Sequence, residues 1–364
     1  MLIRTVLVLL LLICIIFANA FANPIPNKVV KSEYKPAYGV SYSFEQAGWY
    51  GLDPKEDYKK LLDEIKPDWV RLSFFWDLMT DENGNLKIDD LKFAIEEAEK
   101  RNVKVVIALG AKTPYYPETH LPAELQAKIK FGQRLTPSHS VADELLAVDR
   151  KLVEELSNYP NISYWQVENE PLLGDPRGIS VSVDLVGKEV EVVRSADFRK
   201  RPVILNHSAG WYFDRDWLGL ISILKPGDVY STNAYFKTEG PHLVAFQIAG
   251  SDIKIPWPDF LTWPVQSWPL FSPPYVTFMK KAEEKGAGFW IMEMQAEPYI
   301  RDLSYARFER FSFTAEDINK GNRFLESYGI KSIGLWGAHF WQFRAKNGDN
   351  SWIRTIENIT LVNQ

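Results

Sequence analysis

The sequence predicts a single (β/α)8 barrel, a TIM barrel, with an elaborated loop after its sixth strand. Three observations predict it. Short apolar, β-branched segments alternate eight times with longer segments whose apolar residues recur at helical spacing. No composition break divides the chain beyond its first residues. The Gly-rich phosphate loop that normally follows the first strand of a doubly wound sheet is missing.

The N-terminus reads as an export signal over residues 1–22, which leaves 23–364 as the barrel domain. Arg4 supplies a positive start, Val6 to Phe17 is an apolar run, and Ala18, Ala20 and Ala22 give two overlapping Ala-x-Ala cleavage sites. A helix needs about 20 apolar residues to span a bilayer, so the run is short for an anchor. The expected location is therefore secreted or extracytoplasmic, with an uncleaved anchor as the alternative. No integral membrane span is expected in the mature chain.

The first strand runs from Tyr38 to Phe44 and ends in turn residues. A helix then opens at Asp53-Pro54-Lys55-Glu56, with Asp53 as N-cap, Pro54 at the first helical position and Glu56 reaching back. Leu61, Leu62 and Ile65 mark its apolar face. Strand, helix and strand follow at Trp69–Leu72, Leu91–Arg101 and Val103–Leu109. The helix Val141–Ser157 leads into a fourth strand, Ile162–Val167. In the second half, the helix Ser180–Ser195 precedes the strand Pro202–Asn206, and a short helix Leu218–Leu224 precedes the strand Asp228–Tyr235. The segment Phe236–Ser272 is rich in Pro and Trp but weakly periodic, and loops of that length inside a domain are usually functional. The helix Pro273–Lys285, the strand Gly288–Glu293, the helix Thr314–Tyr328 and the strand Ile333–Trp336 complete the barrel. Thr314 is the expected cap, with Asp317 three residues on. A short helix around Trp352 closes the chain.

Composition narrows the chemistry. The single cysteine, Cys14, lies in the signal, so the mature chain offers no disulfide, thiolate nucleophile or cysteine metal ligand. The net charge is −5 without blocks of like charge, which is no nucleic-acid footprint. None of the five histidines shares a metal-ligand spacing with another, and no Gly-x-Ser-x-Gly elbow occurs. No metal or cofactor is expected. Thirteen tryptophans, sixteen tyrosines and twenty-one phenylalanines stand out instead, several in Pro-rich stretches such as Trp257-Pro258, Trp263-Pro264 and Trp268-Pro269. Flat aromatic faces suit sugar rings. They also suit packing loops onto a core.

In such a barrel the site lies at the C-terminal ends of the strands. The fourth strand ends in Gln166-Val167-Glu168-Asn169-Glu170-Pro171 and the seventh in Ile291-Met292-Glu293. Each places a glutamate where apolar residues stop. Strands four and seven stand roughly opposite, so Glu170 and Glu293 can face one another across a substrate. Glu168 shares the parity of Glu170 and is a structural or substrate-binding carboxylate; Glu297 reads as a loop residue. Asn206-His207, ending strand five, are candidates for binding substrate hydroxyls.

Asn169-Glu170-Pro171 after strand four, with Glu293 ending strand seven, resembles clan A of the glycoside hydrolases. That superfamily of (β/α)8 enzymes includes β-galactosidases, cellulases, mannanases and xylanases. The resemblance implies Glu170 as acid/base, Glu293 as nucleophile and Asn169 as partner of the sugar 2-hydroxyl. Arg71 (strand two), Tyr235 (strand six) and Trp336 (strand eight) match the broader pattern. The resemblance places Arg71 and Tyr235 beside the nucleophile, and Trp336 as the floor of the subsite for the cleaved sugar. Gln-Val-Glu-Asn-Glu is similar to the β-galactosidase branch, whereas the proline after it is more like the cellulase and mannanase branch.

The chemistry needs such a pair on its own account. Glycoside cleavage passes through an oxocarbenium-like state, so one carboxylic acid protonates the leaving oxygen while another group attacks or stabilises the anomeric carbon. Arg71 and Tyr235 favour an ionised Glu293, and a poorly solvated Glu170 facing a negative neighbour has its pKa raised. The expected activity is retaining cleavage of β-glycosidic bonds in an oligo- or polysaccharide. The alternative from another class is a non-catalytic carbohydrate-binding barrel.

Overall fold

The computed structural model describes residues 35–208, 216–236, 244–248, 251–255, 273–298 and 313–361. The export-signal segment, Trp257, Trp263, Trp268 and most of the segment after strand six lie outside these residues. Within that segment, the described backbone pairs Val244–Ile248 with Ser251–Ile255 as an antiparallel ribbon.

Eight parallel strands close into a barrel in strict chain order. They are β1 (Ala37–Tyr42), β2 (Trp69–Ser73), β3 (Lys104–Leu109), β4 (Ile162–Val167), β5 (Val203–His207), β6 (Val229–Ala234), β7 (Gly288–Gln295) and β8 (Ser332–Trp336). These are the strands read from the sequence, with ends moved by a residue or two. Both faces of a parallel strand are covered, so most residues of each strand are buried, whether apolar or polar.

The barrel interior divides into two layers. Toward the N-terminal ends of the strands, Trp69, Val106, Ile204, Val229 and Met292 pack together with Tyr164 and Trp290. Trp69 lies flat across β1 because residue 39 is glycine: a Cβ there would meet the indole at 2.1 Å. Its indole nitrogen donates to Ser332 Oγ at 2.8 Å, so the buried polar atom is satisfied. Two residues further along, the inward positions of five strands are polar: Ser41, Arg71, Gln166, Asn206 and Ser231, all buried. The period-2 alternation of a strand therefore carries the interior from oil to hydrogen-bonding groups in one step.

The helices form the outer ring. Asp53 caps the helix Pro54–Ile65 by accepting from the backbone of Lys55 and Glu56. The reciprocal bond comes from Asp57, whose carboxylate accepts from the Asp53 N–H at 2.8 Å, and not from the expected Glu56. Tyr58, Leu61, Leu62 and Ile65 of this helix are buried against the barrel; fully burying such a side chain contributes about 1.5–3 kcal/mol. Thr314 and Asp317 form the expected capping box. The helix expected from Ser180 starts at Val183 with Ser182 as cap, because Ser180–Val181 pair with Arg134–Leu135 as a short parallel bridge. Three helices of the described residues were not evident in the sequence, Phe44–Trp49, Ala123–Gln126 and Ala338–Lys346. The closing helix is longer than expected, Ser351–Leu361. Among the described residues, no helix is long and apolar enough to cross a membrane.

A cavity of about 620 Å3 opens at the N-terminal ends of the strands, lined by Trp69, Tyr164, Trp290, Asp63, Arg101 and Lys104 among others. It is the opposite end from the paired glutamates. Arg101 there is committed to Asp63 and Glu97.

Candidate active site

Glu293 reaches the barrel mouth through a β-bulge. Ile291 pairs with Thr232 and Glu293 with Asn233, so Met292 is an extra residue in β7. A bulge re-aims the side chains around it. Here Met292 stays in the inner apolar cluster while Glu293, its immediate neighbour, also faces the interior. Simple alternation would have sent one of the two outward.

Both oxygens of Glu293 are held. Arg71 Nη2 donates to Oε1 at 2.8 Å, and the Tyr235 hydroxyl donates to Oε2 at 2.7 Å. Arg71 is itself fixed: Nε donates to Ser41 Oγ at 2.9 Å and Nη1 to Gln166 Oε1 at 3.2 Å, and its guanidinium lies 5.7 Å over the Trp336 ring. The pair is almost fully buried, with Glu293 5% exposed and Arg71 1%. A buried pair of this kind is strongly destabilising to break, by about 3–5 kcal/mol. Burial, then the charge of Glu293, holds the Tyr235 hydroxyl well above its ordinary pKa, so it stays a donor.

Glu170 follows β4 on a turn with two residues at positive φ, Glu168 at 61° and Glu170 at 46°. Such conformations cost about 1–3 kcal/mol each for a non-glycine residue and persist only where the surroundings impose them. The imposing group is Glu168. Its carboxylate is buried and accepts from the backbone N–H groups of Ala111 and Lys112, each at 2.7 Å. Gly110 is required beside it, with φ 115° and only 2.6 Å between a hypothetical Cβ and the Glu168 carboxyl. The Asn169 N–H donates to Lys112 O at 2.7 Å, and Lys112 Nζ donates to the carbonyls of Glu170, at 2.9 Å, and Leu173. The end of β4 is thereby tied to the end of β3, and the structural reading of Glu168 matches its contacts.

The turn delivers the Glu170 side chain to Asn233, whose Nδ2 donates to Oε1 at 2.6 Å. Asn206 supports both: its Oδ1 accepts from the Glu170 N–H at 3.2 Å, and its Nδ2 donates to Asn233 Oδ1 at 3.2 Å and to Ser231 Oγ at 3.3 Å. Burial first, and then the negative charge of Glu293, pushes the Glu170 carboxyl up to about 8. Two chemically identical side chains thus sit in contrasting surroundings. One is buried and accepts from a cation and a hydroxyl; the other, partly buried at the mouth, is touched by a neutral amide and repelled by the first.

The remaining expected residues fall as follows. Asn169 accepts from Gln166 Nε2 at 3.0 Å and is 6% exposed. His207 closes β5 but is 1% exposed, and its neighbour Asn206 carries the contacts to Glu170. Trp336 ends β8, half-buried, between Arg71 and Tyr115. His339 lies against Tyr42 and Ser43, and burial pushes its imidazole down to about 3, leaving it neutral. Glu297 lies in the loop just past β7, as expected. Burial raises its carboxyl to about 8 while the Trp336 indole hydrogen-bonds to it.

Several participants carried no role in the sequence reading, among them Asn233, Ser41 and Ser231, which hold Glu170, Arg71 and Asn206. Gln166 bridges Arg71 and Asn169; its inward parity with Tyr164 was a usable signal. Lys112 and Tyr115 come from the loop after β3 and reach the site by the loop's own fold, which no periodicity encodes.

No family model and no curated protein matches the chain. Solved structures match it in fold. GH5_18 from Streptomyces cattleya, in complex with GlcNAc, aligns with a TM-score of 0.57 at 15% identity over 91% of this chain and 82% of that one. The β-galactosidase of the Antarctic haloarchaeon Halorubrum lacusprofundi aligns at 0.57 and 12% identity, over 89% of this chain and 57% of that one. The β-galactosidase of the psychrophilic Marinomonas ef1 gives 0.52 and 14%, over 83% and 54%. The chain spans little more than half of these two β-galactosidases. The shared feature is the closed (β/α)8 barrel, the fold that the resemblance to clan A implied.

Proposed function

We propose that the chain is a retaining glycoside hydrolase that cleaves β-glycosidic bonds by double displacement. Glu170 is the acid/base and Glu293 the nucleophile. The observation that carries this reading is the contrast between the two carboxyls. Glu293 has both oxygens occupied by donors, and Glu170 is held protonated to about pH 8. The glycosidase neighbours, which include sugar complexes, agree with it as a fold likeness.

Glu170 transfers its proton to the glycosidic oxygen as Glu293 attacks the anomeric carbon, so the bond to the leaving group breaks and a glycosyl ester forms. Esterification removes the negative charge of Glu293, which is one of the two main causes of the raised Glu170 pKa. Glu170 thereby becomes a competent base. It takes a proton from water, the water oxygen attacks the anomeric carbon, and Glu293 leaves as carboxylate with Glu170 protonated again. Arg71 and Tyr235 hold Glu293 in line throughout, and Trp336, packed between Arg71 and Tyr115, walls the pocket beside it.

Residues 1–22 are read with this function as a cleaved export signal, so that residues 23–364 act outside the cytoplasm on an oligo- or polysaccharide. Mass analysis of the exported protein checks the cleavage site. The activity is checked by screening the purified protein on aryl β-glycosides and on mannan, glucan, xylan and galactan, alongside Glu170→Gln and Glu293→Gln. Loss of turnover by several orders of magnitude in both variants supports the assignment. Near-wild-type turnover in both excludes it.

A further inference from the structure

The aromatic ring that confronts Trp336 comes from across the barrel mouth. Tyr115 belongs to the loop after β3, yet its ring centroid lies 4.6 Å from that of Trp336 at the end of β8, tilted by 32°. In the barrel order, β1 and β2 stand between β3 and β8. The Tyr115 side chain therefore crosses over the ends of β1 and β2. It also meets His339 edge-on at 5.5 Å, and its hydroxyl lies within electrostatic reach of Arg71, Glu293 and Glu297.

The loop that presents it is braced. Lys112 and Thr119 form an antiparallel bridge, the Thr113 N–H donates to Glu118 O at 3.0 Å, and the Glu118 N–H donates to Tyr115 O at 2.8 Å. His120, stacked on Phe75 at 4.1 Å, places Nε2 3.3 Å from Tyr115 O. Tyr115 itself has φ 84°, a region that a bulky residue occupies only when its surroundings dictate it.

The direction of the substrate follows from the roles proposed above, and the inference rests on that reading. The leaving group lies beside the acid, Glu170, on the side of β4, β5 and β6. The sugar being cleaved lies over Glu293, toward Trp336. Chain beyond that sugar would have to pass where Tyr115 stands. We propose that Tyr115 closes the glycone end of the pocket against Trp336, so that the enzyme removes one terminal sugar at a time. Glu297, hydrogen-bonded to the Trp336 indole at this closed end, is the group placed to meet hydroxyls of that terminal sugar.

The test uses the full mature enzyme and Tyr115→Ala. The substrates are para-nitrophenyl β-glycosides of glucose, mannose, galactose and xylose, their β-linked disaccharide counterparts, and borohydride-reduced oligosaccharides. For the wild type, a monosaccharide is expected as the only first product from every oligosaccharide cleaved. Tyr115→Ala, with unchanged thermal melting, should release intact disaccharide from the disaccharide glycosides, raising that rate relative to the monosaccharide glycosides by at least about tenfold. Wild-type enzyme releasing disaccharides or longer pieces first overturns the inference and leaves the hydrolase reading standing, a result that does not depend on how the variant folds. A folded Tyr115→Ala that still yields only monosaccharide overturns the role of Tyr115. No hydrolysis of any substrate overturns the hydrolase reading and this inference with it.

Discussion

The hydroxyl of Tyr235 donates to Glu293 Oε2 at 2.7 Å, joining the end of β6 to the end of β7. Arg71 holds the other oxygen, so the Tyr235 bond fixes the rotation of the carboxylate about its own axis. Tyr235→Phe keeps the ring and removes only that bond. We expect kcat to fall by about 10- to 100-fold, the loss of one positioned donor being worth a few kcal/mol. Steady-state kinetics on an aryl glycoside check this, and kcat within twofold of wild type would contradict it.

The pH dependence follows from Glu170. The proposed general acid, Glu170, must carry its proton, and burial and Glu293 raise its pKa to about 8. The profile of kcat/KM should therefore hold below that value and decline above it by about tenfold per pH unit. With an activated aryl leaving group that needs no protonation, Glu170→Gln should lose the alkaline limb. Glu297 also titrates at about 8, so Glu297→Gln is the control that should keep the limb. A limb that survives in Glu170→Gln would assign it elsewhere.

The eight strands and the two glutamates were legible in the sequence because each depends on local signals: β-branched runs, caps such as Asp53 and Thr314, and a carboxylate where the apolar run stops. The bulge at Met292 was not legible. It is a register irregularity between three strands, and nothing in Ile-Met-Glu-Met marks which residue is extra. The structural role of Glu168 was legible, but its partners were not, because they are backbone donors of another loop beside Gly110. Tyr115 was invisible for a third reason: a loop side chain that crosses two strands has no periodicity to announce it.

Three buried carboxyls make stability depend on pH. Asp149 and Glu189, on the helices Ala142–Leu156 and Val183–Ala196, are fully buried, and Glu189 hydrogen-bonds with both Asp149 and Glu168. A bond between two carboxyls requires a proton, and burial raises Asp149 and Glu189 well above the ordinary range. The folded chain then binds more protons than the unfolded one above about pH 4, so stability declines as pH rises from there toward the raised values. Glu189→Gln keeps a hydrogen-bond donor and removes the titration. Its melting temperature should gain on the wild type as pH rises from 5 to 9, by roughly 2–4 °C per kcal/mol recovered. A difference that is flat across that range would contradict the arrangement.

The lower layer of the barrel has its own test. Gly39→Ala places a methyl group where the Trp69 indole lies, at 2.1 Å. Overpacking of this kind typically costs about 1–3 kcal/mol, and denaturant unfolding should record it. Trp69→Leu combined with Gly39→Ala should recover part of the loss, whereas additive losses would place the indole elsewhere.

The covalent role of Glu293 is tested most directly by chemical rescue of Glu293→Ala with azide on an aryl β-glycoside. The alanine leaves room for an anion on the face from which Glu293 attacks, while Glu170 still protonates the leaving oxygen. The account predicts that azide restores turnover and that nuclear magnetic resonance identifies an α-glycosyl azide, inverted at the anomeric carbon. Near-wild-type turnover of Glu293→Ala without azide, or a rescued product of retained configuration, would contradict it.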